Sequence, residues 1–151
     1  MGRYATTRAK LSTYLARKLR ERGWSDEKQP DIEGIVSNLV ELRYIDDAAF
    51  AEARARSFVR RGYGKRRLDQ DLRAAGIEMD DAEGADEHMD ESGFEAAENF
   101  ARRKRFGPFA IELASPEKRE KQLAAFLRAG HGFDIAKRFV NALPGETVTD
   151  E

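Results

Sequence analysis

The sequence predicts an all-α protein, and three observations carry that prediction. Apolar residues recur at helical spacing, strand-like alternation is nowhere sustained, and alanine outweighs any single large aliphatic residue. Leu, Ile, Val and Phe together supply 31 of 151 residues beside 22 alanines, so the core has to come from thin helices that approach closely. Alanine costs helix formation nothing, which makes that solution available. A chain of this length holds one ordinary domain or a few small modules.

Taken in order, the first helix is basic. It carries Arg8, Lys10, Arg17, Lys18, Arg20 and Arg22, already includes Thr6, and stops at Gly23. Pro30 fits a first helical position, and Ile32, Ile35, Val36, Leu39 and Val40 then trace one apolar stripe to about Leu42. Asp46 is suited to cap the next helix, with Ile45 and Phe50 at the staple positions and Gly62 as the stop. A helix through Leu68 and Leu72 ends at Gly76. The stretch from Glu78 to Asp90 is acidic, broken by Gly84, and offers only Met79, Ala82 and Met89 as apolar contacts, so it reads as either a short helix or a mobile segment. Ser115-Pro116 opens a further helix, and the last runs from about Phe133 to Leu143 ahead of Pro144-Gly145.

These elements repeat. Leu15 to Gly23, Leu68 to Gly76 and Leu123 to Gly130 each end in a Leu-Arg pair followed by Gly, and the pairs begin at residues 19, 72 and 127. Leucines four apart mark one helix face, and Gly suits the left-handed position that terminates a helix. Three tandem helix-turn-helix modules are therefore expected at residues 1–48, 49–90 and 91–145, with a tail at 146–151. Boundaries fall near Ala48 and Glu91.

Net charge is only -1, but it is segregated. Residues 1–77 carry 17 Lys/Arg against 11 Asp/Glu, residues 78–98 carry 10 acids and no Lys or Arg, and residues 99–151 carry 10 cations against 7 acids. Two basic lobes flank an acidic insert, and the lobes are the places to look for anionic partners. Without cysteine there is no disulfide, thiolate nucleophile or Cys-ligated metal, and a cytoplasmic home is favoured. No apolar run reaches membrane-spanning length and residues 1–9 have no signal-peptide core, so no membrane partner is expected.

The sharpest feature is Arg60-Arg61-Gly62-Tyr63-Gly64-Lys65-Arg66-Arg67, five cations and an aromatic around one turn. Clustered guanidinium and ammonium groups neutralise phosphates, and Tyr63 has the chemistry to stack on a base or fill a partner's pocket. Arg66 and Arg67 oppose the dipole of the helix they open, which suits residues kept for contact. The same residues also fit a plain glycine turn with Tyr63 packed inward and solvated cations. A second run, Arg102-Arg103-Lys104-Arg105, precedes Phe106 and Phe109, where helix-end cations and core-capping rings are the competing explanation. Asp46-Asp47 is explained by capping rather than acid-base work. His88 and His131 sit in unrelated segments, so no metal site is expected. Phosphate loops and nucleophile elbows are absent, and neither catalysis, a cofactor nor a small-molecule substrate is expected.

Tyr44-Ile45-Asp46-Asp47 with Phe50-Ala51, followed by Arg60-Arg61-Gly62-Tyr63-Gly64, Arg67-Leu68, Leu72-Arg73 and Gly76, resembles the RecX family of bacterial recombinase regulators, and the likeness runs from about Thr6 to Leu143. The resemblance implies three three-helix modules in a curved, elongated array. It also implies a protein that binds the RecA filament on single-stranded DNA, with weak duplex binding at most. Family members mostly inhibit the ATPase, strand-exchange and coprotease activities of RecA, which places them in DNA repair and the SOS response. Carried over to this chain, the contact residues are Arg60, Arg61, Tyr63, Lys65, Arg66 and Arg67, with Arg102, Arg103, Lys104 and Arg105 behind them. Three departures stand out: the first module lacks an opening helix, Arg43 occupies the place where the family usually has Gly before Tyr44, and the third helix of the middle module is acidic. A sequence-specific helix-turn-helix transcription factor is the rival reading, and only Gln70 after Gly64 offers it a base-reading side chain.

Overall fold

The computed structural model describes residues 6–23, 30–42 and 45–151. Among them lie seven α-helices and one 3-10 turn, with no strand: α1 (Arg8–Arg22), α2 (Ile32–Glu41), α3 (Asp47–Arg61), α4 (Lys65–Ala74), α5 (Met79–Lys104), the 3-10 turn Gly107–Phe109, α6 (Pro116–Arg128) and α7 (Phe133–Asn141). The all-α expectation holds. The substitution of Arg43 for glycine and the Tyr44 position lie outside the described residues, as do residues 1–5, ahead of the module expected to lack its opening helix.

Local chemistry sets the ends. Thr7, Asp31, Asp46 and Ser115 each accept a hydrogen bond from a first-turn backbone N–H of the helix they precede, a cap whose loss costs about 1 kcal/mol. Two expected starts shift as a result. Pro30 stands one residue ahead of the Asp31 cap instead of inside the first turn, and Thr6 stands outside α1, because capping oxygens outcompete their neighbours for the start. Gly23, Gly76 and Gly130, the three repeat glycines, all have positive φ, at 74°, 77° and 99°.

The acidic segment is helical throughout. Met79–Lys104 is one unbroken 26-residue helix, about 39 Å long, that runs past Asp90 and Glu91 without a stop. Ala85, Met89, Ala96, Ala97, Phe100 and Ala101 are buried along it, and this small-residue stripe lets α3 lie close through Ala51, Ala55, Phe58 and Val59. One core groups Phe50, Phe58, Leu68, Leu72 and Met89. A second groups Phe100, Phe126, Phe139 and Val140, with the Phe100 and Phe126 rings 4.8 Å apart edge to face. The two divide between Ala96 and Ala97 on the shared helix. The tail returns to the second core, where Val148 packs and the Arg138 guanidinium donates to the Thr149 and Glu151 carbonyls.

The repeat glycines also explain how the helical units join. Thr7 Oγ1 donates to the Ala75 carbonyl at 2.8 Å, and a Cβ on Gly76 would collide with Ala9. One repeat later, the Gly64 N–H donates to the Ala129 carbonyl at 2.8 Å, the Arg66 N–H to the Gly130 carbonyl at 3.2 Å, and a Cβ on Gly130 would sit 2.6 Å from the Arg67 nitrogen. In both joints the Ala-Gly end of one helix meets the start of a helix from the preceding repeat. The second joint satisfies N–H groups of α4 that no side-chain cap reaches and aligns the carbonyl end of α6 with the N–H end of α4.

Candidate protein and nucleic-acid interface

Three elements deliver the arginine cluster. The α3 helix ends at Gly62 in a left-handed turn, with the Tyr63 N–H bonded to the Phe58 carbonyl at 2.8 Å. Only glycine fits Gly62, because a Cβ there would meet the Phe100 backbone nitrogen at 2.7 Å. The His131 Nε2–H donates to the Gly62 carbonyl at 2.8 Å, and the Asn99 amide donates to the Val59 carbonyl at 2.9 Å. The turn is thus held from three sides before any cation is considered.

Tyr63 stands at the centre. Its ring meets Phe58 edge to face with centroids 5.4 Å apart, and three guanidiniums surround it: Arg67 at 4.1 Å, Arg61 at 4.9 Å and Arg103 at 5.4 Å from the centroid. Burial pushes the phenol up, but the Arg67 charge, the hydrogen bond with Arg103 and the Arg103 and Arg61 charges outweigh it and hold the group below the ordinary tyrosine value. The ring is therefore a half-buried platform that gathers three arginines. Arg61, Arg67 and Arg103 are solvent-facing and make no ion pair among the described residues.

The remaining sequence-derived residues separate. Lys65 turns away and forms a 2.8 Å ion pair with Asp90 on α5, which raises its pKa chiefly through that bond. Arg102 pairs with Glu98 at 3.3 Å and lies over Phe109 at 4.9 Å. Arg60, Arg66, Lys104 and Arg105 are exposed, and Arg105 closes α5 with a left-handed φ of 59°. So the two basic runs meet through one residue, Arg103. Arg54 and Asp71, paired at 3.1 Å, and Gln70 line a groove of about 450 Å³ beside Tyr63. Sequence inspection passed over Arg54 and Asp71 and weighed His131 only as a metal ligand, since nothing local marks a groove between α3 and α4 or a histidine that bonds a carbonyl from another repeat.

No group of three or more His, Cys, Asp or Glu that could hold a metal occurs among the described residues, and no described helix is long and apolar enough to cross a membrane.

Comparison with known proteins decides the family. Residues 46–85 match the model for the second three-helix domain of RecX. The regulatory protein RecX of Myxococcus xanthus is 33% identical over 152 aligned positions, covering 95% of this chain and 81% of that protein. The chain belongs to the RecX family. The RecX proteins of Agrobacterium fabrum, 30% identical across 95% of this chain and 78% of theirs, and of Cronobacter sakazakii, 31% identical across 89% and 79%, agree. No solved structure matches the chain. The matched residues 46–85 contain α3, the glycine turn and α4, so the platform of the arginine cluster lies within the family's second three-helix domain.

Proposed function

We propose that this RecX-family regulator acts in the cytoplasm by binding the RecA filament on single-stranded DNA and inhibiting its ATPase, strand-exchange and coprotease activities, in DNA repair and the SOS response. It works without chemistry of its own, through three modules divided near Ala48 and Glu91, of which the second and third share α5. The observation that carries the reading is the cluster of Arg61, Arg67 and Arg103 on Tyr63: three cations without an ion pair among the described residues, gathered by one ring. A pre-positioned cluster binds anionic groups without first freezing flexible side chains. Arg60 and Arg66 extend this surface, and Lys65 belongs to the scaffold.

The transcription-factor reading is weaker on two physical counts. The start of α4, where a recognition helix places its base-reading residues, is packed against Ala129 and Gly130. The helix that follows α4 begins with a run of carboxylates that duplex phosphates would repel.

The direct test is co-sedimentation with RecA assembled on poly-dT. The wild-type chain is expected to pellet with the filament, and R61E/R67E/R103E to remain in the supernatant with helicity unchanged. Pelleting of that variant at wild-type protein concentrations would reject the assignment.

A further inference from the structure

A second basic groove lies at the other joint, between α1 and the end of α4. It has a volume of about 440 Å³, and its charged lining consists of Lys10, Arg17 and Arg73, with no carboxylate among its lining residues. Its floor is the close contact of Gly76 with Ala9, and the Ala75 carbonyl that would otherwise face an anion accepts from Thr7 Oγ1. Tyr14 stands in the same groove with 47% of its surface exposed. Arg17 and Lys18 approach its ring at 5.6 and 5.7 Å, each somewhat farther out than the guanidiniums at 4.1, 4.9 and 5.4 Å on Tyr63. Lys10 and Arg73 make no ion pair among the described residues, and Arg17 is tied only to Glu21 by an exposed 3.8 Å contact that a competing anion can displace.

We infer that this groove is a binding site for single-stranded nucleic acid, with one base stacked on Tyr14 and the flanking phosphates on Lys10, Arg73 and Arg17. Cations alone would serve any anion. An accessible aromatic face among them is the combination that selects unpaired bases, which present a π-face that neither a duplex interior nor an acidic peptide supplies. The site is independent of the arginine cluster on Tyr63: it uses α1 and the end of α4, and its ligand is single strand that RecA does not cover.

Binding of fluorescein-labelled oligo-dT to the full chain, followed by anisotropy over a salt series without RecA, tests it. K10E/R73E should weaken binding at least tenfold at low salt and make the log-log salt slope shallower by about 1.4, since each lost single-strand phosphate contact removes about 0.7. Y14A should weaken binding roughly tenfold with the slope unchanged, as loss of one stacked base requires. Photocrosslinking of the wild-type chain to a 4-thiothymidine oligonucleotide should label the Tyr14 segment, a readout that does not depend on any variant folding. Wild-type oligo-dT affinity in both variants, no binding by the wild-type chain, or crosslinks confined to other segments would overturn the proposal. So would a loss of RecA-filament binding in these variants with DNA affinity intact, because it would make the groove a protein contact. With poly-dT saturated by RecA, the R61E/R67E/R103E co-sedimentation reads the filament contact and not the groove, so the two assignments fail separately.

Discussion

At the scale of single residues, Tyr63 and His131 have roles that follow from what touches them. Tyr63→Phe keeps the ring that three guanidiniums share and loses only the hydroxyl, so filament affinity should fall by no more than about threefold, whereas Tyr63→Ala frees all three cations and should cost tenfold or more. Equal losses in the two variants, read by co-sedimentation, would put the hydroxyl and not the platform at the centre. His131 is 3% exposed beside Phe100 and Phe126; burial lowers its pKa below 6.5, against the raising effect of its bond to the Gly62 carbonyl. The unfolded chain therefore binds the proton first. The stability this neutral histidine contributes is complete above about pH 6.5 and is lost as pH falls through the lower folded-state value. Urea midpoints should drop between pH 7 and pH 5, and His131→Gln, which keeps a donor, should flatten that part of the profile. An identical pH profile in the variant would remove His131 from the account. Neither role was legible in the sequence: a histidine without histidine neighbours says nothing about metal-free burial, and Tyr63 meets Arg103 only because α5 passes the turn.

Elements were legible where the deciding chemistry is local. Asp46 and Ser115 cap as expected and the repeat glycines adopt positive φ, because each choice depends on a few adjacent residues. The length of α5 was obscured by its carboxylates and by Gly84 and Gly93. What holds it helical is the burial of Ala85, Met89 and Ala96 against α3 and α4, a tertiary effect that outweighs propensity. Glycines on and off the joints should accordingly behave in opposite ways. Gly130→Ala must place a Cβ against the Arg67 backbone at a φ of 99° and should destabilise by about 2 to 4 kcal/mol. Gly93 lies inside α5 with nothing within 4 Å of the place a methyl group would take, and its replacement by Ala should give a gain of up to about 1 kcal/mol. Denaturant unfolding of the two variants checks both, and a neutral Gly130→Ala would show that the joint is loose.

For the whole molecule, segregation of charge is the property with most consequence. A net charge of -1 conceals an acidic helix surface and two basic lobes, and folding brings cations from residues 61, 67 and 103 onto one ring while removing Lys65 to Asp90. Lys65→Gln should therefore leave filament binding within about twofold of wild type while removing the pair with Asp90, an exposed contact that contributes little to stability. A tenfold loss of binding in Lys65→Gln would return this residue to the contact surface. The central functional proposal is that the Tyr63-centred arginines are how the chain acts on RecA. It is tested most directly by titrating the wild-type chain and R61E/R67E/R103E into RecA's single-stranded-DNA-dependent ATPase reaction. Wild type is expected to suppress turnover, and the folded variant to leave it at the uninhibited rate across the same range. Suppression by the variant at wild-type concentrations would contradict the account.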